Sequence, residues 1–278
     1  MGPCTVLWQN IIAASRAEGG RPRLYRAFEV TRRPGPLIAV ALHAGHEVGP
    51  LVEPLIALAE DTRLREEDPA TEAIADFGAT LVVVRTSRFE VDLNRLRSSA
   101  VYRCAEDAWG LDVWAGDVPD QVFADSLATY DAFYAAIREL IGETVAREGV
   151  AVVFDIHSYN HRRDGADGPA APGLENPEVN LGTGSLAREW RPCAKAFLGA
   201  MSEAGYDARE NVKFRGGAFS AWVNEHFPGR ACALAVEFKK TYMDEWTGEI
   251  DADAVVRARD ALGRAAASAL DAARQVVA

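Results

Sequence analysis

The stretch from Val150 to Asn160 constrains this chain more than any other. Val150-Ala151-Val152-Val153-Phe154 is a continuous apolar run rich in β-branched residues, which reads as a strand buried on both faces. It gives way abruptly to Asp155-Ile156-His157-Ser158, so an imidazole stands near the strand's carboxyl end. Open α/β sheets bind their ligands at that edge. Neutral imidazole is a common zinc ligand, which makes His157 a candidate metal ligand. Taken alone, the segment equally suits a core histidine satisfied by backbone groups.

Three further apolar runs share the pattern. Residues 37–42 stop at His43-Ala44-Gly45-His46-Glu47, and residues 79–85 lead into a polar segment from Thr86 to Arg95. Residues 231–238 carry a lone acid, Glu237. Residues 24–31 alternate enough for an edge strand. Between 120 and 147, Phe123, Leu127, Tyr130, Phe133, Tyr134, Ile137 and Ile141 recur at helical spacing. Gly149 then separates this helix from the next strand, which predicts a strand–helix–strand unit with a parallel pair. Shorter helices are expected at 52–60, from Pro69 to Phe77, at 186–203 and at 253–277. The sum is an α/β fold with a mixed, mostly parallel central sheet and helices on both faces. One domain is expected across residues 1–278, behind a short lead-in of residues 1–22 with a helical turn near 10–16.

The connections 96–120 and 160–185 read as long polar loops over the site. The charge run 63–68 reads as a solvated face. Small residues between His43 and His46 are expected to let the backbone approach a bound ion or substrate. A net charge of −11 argues against nucleic acid or an anionic membrane as partner. No apolar run is long enough to span a bilayer, and no basic, apolar leader opens the chain. Cys4, Cys104, Cys193 and Cys232 are scattered, with no paired spacing, as expected of reduced thiols in a cytoplasmic protein.

Strand ends therefore carry His43, the 88–95 segment, His157 and Glu237. Such groups are unfavourable to bury unpaired, and parallel strands bring them to one edge. The chemistry that needs these types is metal-assisted hydrolysis. Two histidines and a carboxylate hold zinc with a position open for water, whose pKa falls towards ~7. Glu237 can take the water proton and deliver it to a leaving amine. Arg88, Arg95 or Arg215 can clamp a substrate carboxylate bidentately. His161 is expected in solvent, and His226 is a candidate substrate contact. Lys239-Lys240 either tunes the charge of Glu237 or caps the sheet edge.

The stretch Pro36 to Gly45, the motif Ser87-Arg88-Phe89-Glu90-Val91-Asp92-Leu93-Asn94-Arg95, the segment Asp155-Ile156-His157-Ser158 and the late Val236-Glu237-Phe238 together resemble the N-formylglutamate amidohydrolase family, a relative of the zinc carboxypeptidases. The resemblance runs from about residue 25 to 275. It implies a phosphorylase/hydrolase-like fold, a Zn2+ site using His43 and His157, Glu237 as general base, and Asn94-Arg95 gripping a substrate carboxylate. The carboxypeptidase pattern His-x-x-Glu is not kept, since His46 stands where its glutamate belongs. The resemblance points to Asp68 as third ligand, with Glu47 and His46 as alternates. A zinc amidohydrolase acting on a small N-acyl amino acid is the leading reading. A carboxypeptidase-like enzyme and a binding protein with a decayed site are the others, the last disfavoured because base, histidines and arginines are all present.

Overall fold

Alternation along the strands decides how the layers form. In β2 (Leu37–Ala41), Ile38 and Val40 face one helical layer while Ala39 and Ala41 face the other. The computed structural model describes residues 26–278. Its elements in order are β1 (Phe28–Thr31), β2, α1 (Glu60–Glu66), α2 (Thr71–Ala75), β3 (Thr80–Val84), α3 (Asp120–Glu148), β4 (Ala151–Tyr159), β5 (Val179–Gly182), α4 (Arg191–Glu203), β6 (Ala208–Glu210), α5 (Ala218–His226), β7 (Ala231–Lys239) and α6 (Ala252–Val277). The seven strands form one sheet in the order β1-β3-β2-β4-β7-β5-β6.

The four central strands, β3, β2, β4 and β7, are mutually parallel; β1 runs antiparallel to β3, and the parallel pair β5 and β6 runs antiparallel to β7. Helices α2, α4 and α6 cover one face, and α3 with α5 covers the other. Val152, Phe154 and Ile156 of β4 enter the first layer, where Phe154 meets Phe77 and Phe197 at 5.9 and 5.8 Å between ring centroids. Burying a side chain of that kind stabilises by about 1.5–3 kcal/mol. Helix α3 stops at Gly149, whose φ of 79° is the left-handed conformation that ends helices without a Cβ penalty. Helix α6 begins at Asp251, whose carboxylate accepts from the Ala254 amide at 2.9 Å.

The mixed, mostly parallel sheet with two helical layers is thus as expected, and several local expectations are corrected. Residues 52–60 form only a short 3-10 turn, Glu53–Leu55, and the helix starts only at Glu60 and extends into the charge run. That run is no solvated face: Arg63, Glu67 and Asp68 are buried. Strand β5 lies inside the expected loop 160–185, and β6 and α5 were not foreseen. The lead-in 1–22, its helical turn, Cys4 and the start of the expected strand at 24–31 fall outside the described residues.

Candidate active site

The carboxyl edge of the parallel strands gathers the candidate residues. His43 follows β2, His157 lies within β4, and Asp68 enters from the turn between α1 and α2. All three are buried, and one ligand atom from each lies within 4.8 Å of the others. Asp68 Oδ2 stands 3.1 Å from His157 Nδ1 and 3.5 Å from His43 Nδ1. The far nitrogen of each ring is also taken. His43 Nε2 is 2.8 Å from Asp92 Oδ1, and His157 Nε2 is 2.7 Å from Asp155 Oδ1.

That second pair of contacts decides what the cluster can hold. An ionised carboxylate only accepts, so each Nε2 carries the proton and donates it. A neutral ring then aims the lone pair of Nδ1 at the Asp68 carboxylate. Three electron-rich atoms facing one another are stabilised by a cation between them, and histidines braced from behind by carboxylates are the usual surroundings of a metal ion. The spacing agrees: a tetrahedral zinc with ligands at 2.0–2.1 Å separates them by about 3.3–3.4 Å. Without a cation, protons take its place. Burial opposes charge on His157, but Asp155 and Asp68 outweigh it and hold its pKa well above the usual range. Burial likewise works against the Asp68 carboxylate, and His157 and His43 overcome it, so Asp68 stays ionised far below its ordinary pKa.

Local structure supplies these contacts. Side chains two apart on a strand share a face, so Asp155 reaches back to His157 within β4. Asp92 is fixed by Tyr102 Oη at 2.5 Å, Arg88 Nη2 at 2.8 Å and the Asn94 amide at 2.9 Å. Asp68 Oδ1 accepts from Ser158 Oγ at 3.1 Å, and its own amide donates to His43 O at 2.8 Å. Glu237 is the direct partner of His157 in the parallel register of β4 and β7. Loss of solvation pushes the Glu237 pKa up to about 8; His157 opposes this, while Asp68 and Asp155 add to it.

A cavity of about 260 Å³ opens over the cluster, walled also by Glu66, Arg88, Asn94, Trp109, Asn160, Glu237 and Lys240. Trp109, 54% exposed, holds the left-handed φ of 57° at its rim, and its ring lies 4.7 Å from the Arg88 guanidinium. Asn94 presents its amide nitrogen 3.2 Å from His157 Nε2. Arg95 does not line the cavity. Its guanidinium donates to Asp107 O at 2.7 Å, sits 3.5 Å from Asp92 Oδ2 and lies over the Tyr102 ring. Arg215 is exposed and also outside the cavity wall; its carbonyl accepts from the Gly184 amide at 2.7 Å.

Of the alternate ligands, Glu47 is exposed, its backbone bridged to Thr86. His46 turns to Glu67, Nδ1 to Oε2 2.5 Å, and this carboxylate raises its pKa. Gly45 serves the protein's own packing, because a Cβ there would lie 2.3 Å from the Arg85 carbonyl carbon. His161 is half-buried, with its amide donating to Glu245 at 2.8 Å, and His226 stacks on Trp222 at 4.5 Å, away from the cavity. Lys239 donates to Asn176 O at 3.0 Å, whereas Lys240 turns inward; loss of solvation lowers its pKa to about 8. The braces Asp92 and Asp155, with Ser158, were missed as site residues; Lys240, expected either to tune Glu237 or to cap the sheet edge, stands on the cavity wall with Glu237. The acid two positions before His157 was the one local signal available.

The arrangement is an α/β sheet whose carboxyl edge groups His43, Asp68 and His157 closely enough that they could hold a metal ion. The chain belongs to the N-formylglutamate amidohydrolase family, whose model matches residues 35–243. Comparison with curated proteins gives no match. Among solved structures, an N-formylglutamate amidohydrolase from Ralstonia eutropha JMP134 is similar with a TM-score of 0.69 at 16% identity, covering 90% of this chain and 99% of that one. A gene product of Agrobacterium tumefaciens is similar with a TM-score of 0.63 at 22% identity, covering 88% of this chain and 95% of that one. At such identities the likeness concerns the fold.

Proposed function

We propose that this chain is a zinc-dependent amidohydrolase that cleaves the amide bond of a small N-acyl amino acid such as N-formylglutamate. The observation that carries this reading is the convergence of His43 Nδ1, His157 Nδ1 and Asp68 Oδ2, with a carboxylate behind each ring. These three side chains would hold the ion. When bound, zinc lowers the pKa of a water and polarises a carbonyl. Glu237, beside His157 in the strand ladder, takes the proton of the attacking water and passes it to the departing amine. Arg88 and Asn94 are assigned to the substrate, since both line the cavity. Arg95 is assigned to holding Asp92, and no contact with substrate is assigned to Arg215.

A cavity of about 260 Å³ suits a small molecule better than a polypeptide end. A cytoplasmic location belongs to this reading, and the scattered, unpaired spacing of the cysteines supports it. The test is metal analysis of the purified protein beside turnover of N-formyl, N-acetyl and dipeptide substrates. About one zinc per chain and a preference for an N-acyl amino acid are expected, as for a catalytic site of this ligand type. A metal-free protein that zinc does not activate, or one that cleaves only dipeptides, would overturn it.

A further inference from the structure

Four cations stand on the cavity wall: Arg65, Arg88, Arg163 and Lys240. Arg88 is answered by Asp92 at 2.8 Å, and Arg65 by Glu66 at 3.5 Å and the Trp246 ring at 4.2 Å. Arg163 is exposed, so solvent screens its charge. Lys240 differs from all three. It is 1% exposed, and its Nζ donates to the main-chain oxygens of Arg65 at 2.6 Å and Glu67 at 2.7 Å. Among the described residues no carboxylate comes within ion-pair distance of it, although Asp68, Glu66 and Glu245 favour its charge from further off. An ammonium has three N–H donors, so one is left over. The carbonyls at the end of α1 solvate the charge without cancelling it. An ammonium buried without a bonded counter-charge is costly, and a ligand can supply that contact.

We propose that Lys240 is the anchor for a carboxylate of the substrate, whose anionic oxygen takes the third N–H and supplies a bonded counter-charge. This rests on the amidohydrolase reading and specifies which wall recognises the acid group. Arg95, the residue expected there, is outside the cavity, and the charge of Arg88 is already offset by Asp92. The anchor also borders the turn that delivers Asp68, because its two acceptors, Arg65 O and Glu67 O, flank the approach to that ligand.

The experiment compares kcat/KM for N-formylglutamate with that for its two mono-amides, N-formylglutamine and the α-amide, in the native enzyme and in Lys240→Met. The native enzyme should prefer the acid over one of the amides by about 100-fold, the scale of losing one partner of a buried charge pair. In Lys240→Met that ratio should collapse towards 1, mainly through KM, with zinc content kept. An unchanged ratio in Lys240→Met overturns the proposal. Should the variant not fold, a crystal of the native enzyme soaked with glutamate decides. A carboxylate oxygen within about 3.5 Å of Lys240 Nζ is expected, and carboxylates bound only elsewhere refute it. Native enzyme that hydrolyses no N-acyl amino acid would sink the amidohydrolase reading instead, and the soak would still judge Lys240 on its own.

Discussion

The two sides of the cavity are built on opposite terms. On the ligand side, His43, His157 and Asp68 are each held from a second direction, by Asp92, Asp155 and Ser158. On the far side, Asn160 Oδ1 and Arg88 Nε are buried without a partner and no carboxylate bonds to Lys240 among the described residues, whereas the ligand side leaves only the outer oxygen of a brace, Asp155 Oδ2, unanswered. The difference is between a centre fixed before anything binds and a wall whose hydrogen bonds await a guest. Fixing the reactive groups in advance avoids reorganisation during the reaction. Leaving polar atoms unanswered makes the wall discriminate, because the wrong guest leaves them unpaired.

The comparison can be broken at several depths. The largest effect is expected from Asp68→Ala, which removes the atom shared by both rings. Zinc content should fall to near zero and hydrolysis by about 10⁴-fold or more, measured by metal analysis and turnover. Retained zinc in that variant would show that the ligand side is not the metal site. Glu237→Gln comes next, with zinc kept and kcat lowered by about 10²–10⁴-fold. The same variant carries a pH signature in the metal-free protein. The folded pKa of Glu237, about 8, lies above its ordinary 4.5. The folded state therefore binds more protons between those values, and stability is lost as pH rises from about 5 to 8. Glu237→Gln should flatten that part of a thermal-melt profile, and an unaltered slope would refute the assignment.

Smaller effects sharpen the boundary of the rigid side. Asp155→Asn keeps all three ligand atoms and should weaken zinc binding by about 10–100-fold in chelator competition. The smallest change is expected at His46, three residues from His43 but turned to Glu67. His46→Ala should leave zinc affinity unaltered and cost about 1 kcal/mol of stability, since it strips one partner from a buried carboxylate. A loss of zinc there would place His46 among the ligands after all.

What could be read in advance follows the same division. Long apolar runs fix a parallel core whatever surrounds them, so the four central strands and the two layers were legible from pattern alone. Polar residues at their ends had to meet, and His43, His157 and Glu237 do. Strand β5 could not be read that way. Val179-Asn180-Leu181-Gly182 sits among Pro, Gly and Asn, and it is a strand because β7 offers an edge, with Asn180 opposite Glu237. The charged segment before Asp68 misled for a related reason. Its burial comes from partners distant in the chain, Ser87 on the Glu67 carboxylate and Lys240 on the carbonyls. Arg95 was misplaced because a motif shows which residues are near one another, not which way a long side chain turns.

The pairing of β4 with β7 has one more consequence. Neighbouring strands are held about 4.8 Å apart by their hydrogen bonds, a distance that hardly varies among proteins. His157 and Glu237 are partners in that ladder, so their separation is set by main-chain geometry rather than by loops. Trp109 and Asn160, by contrast, stand on connecting segments, which tolerate change. Descendants of this scaffold can therefore acquire new specificities by redrawing the rim, while the proton acceptor and the imidazole keep their spacing.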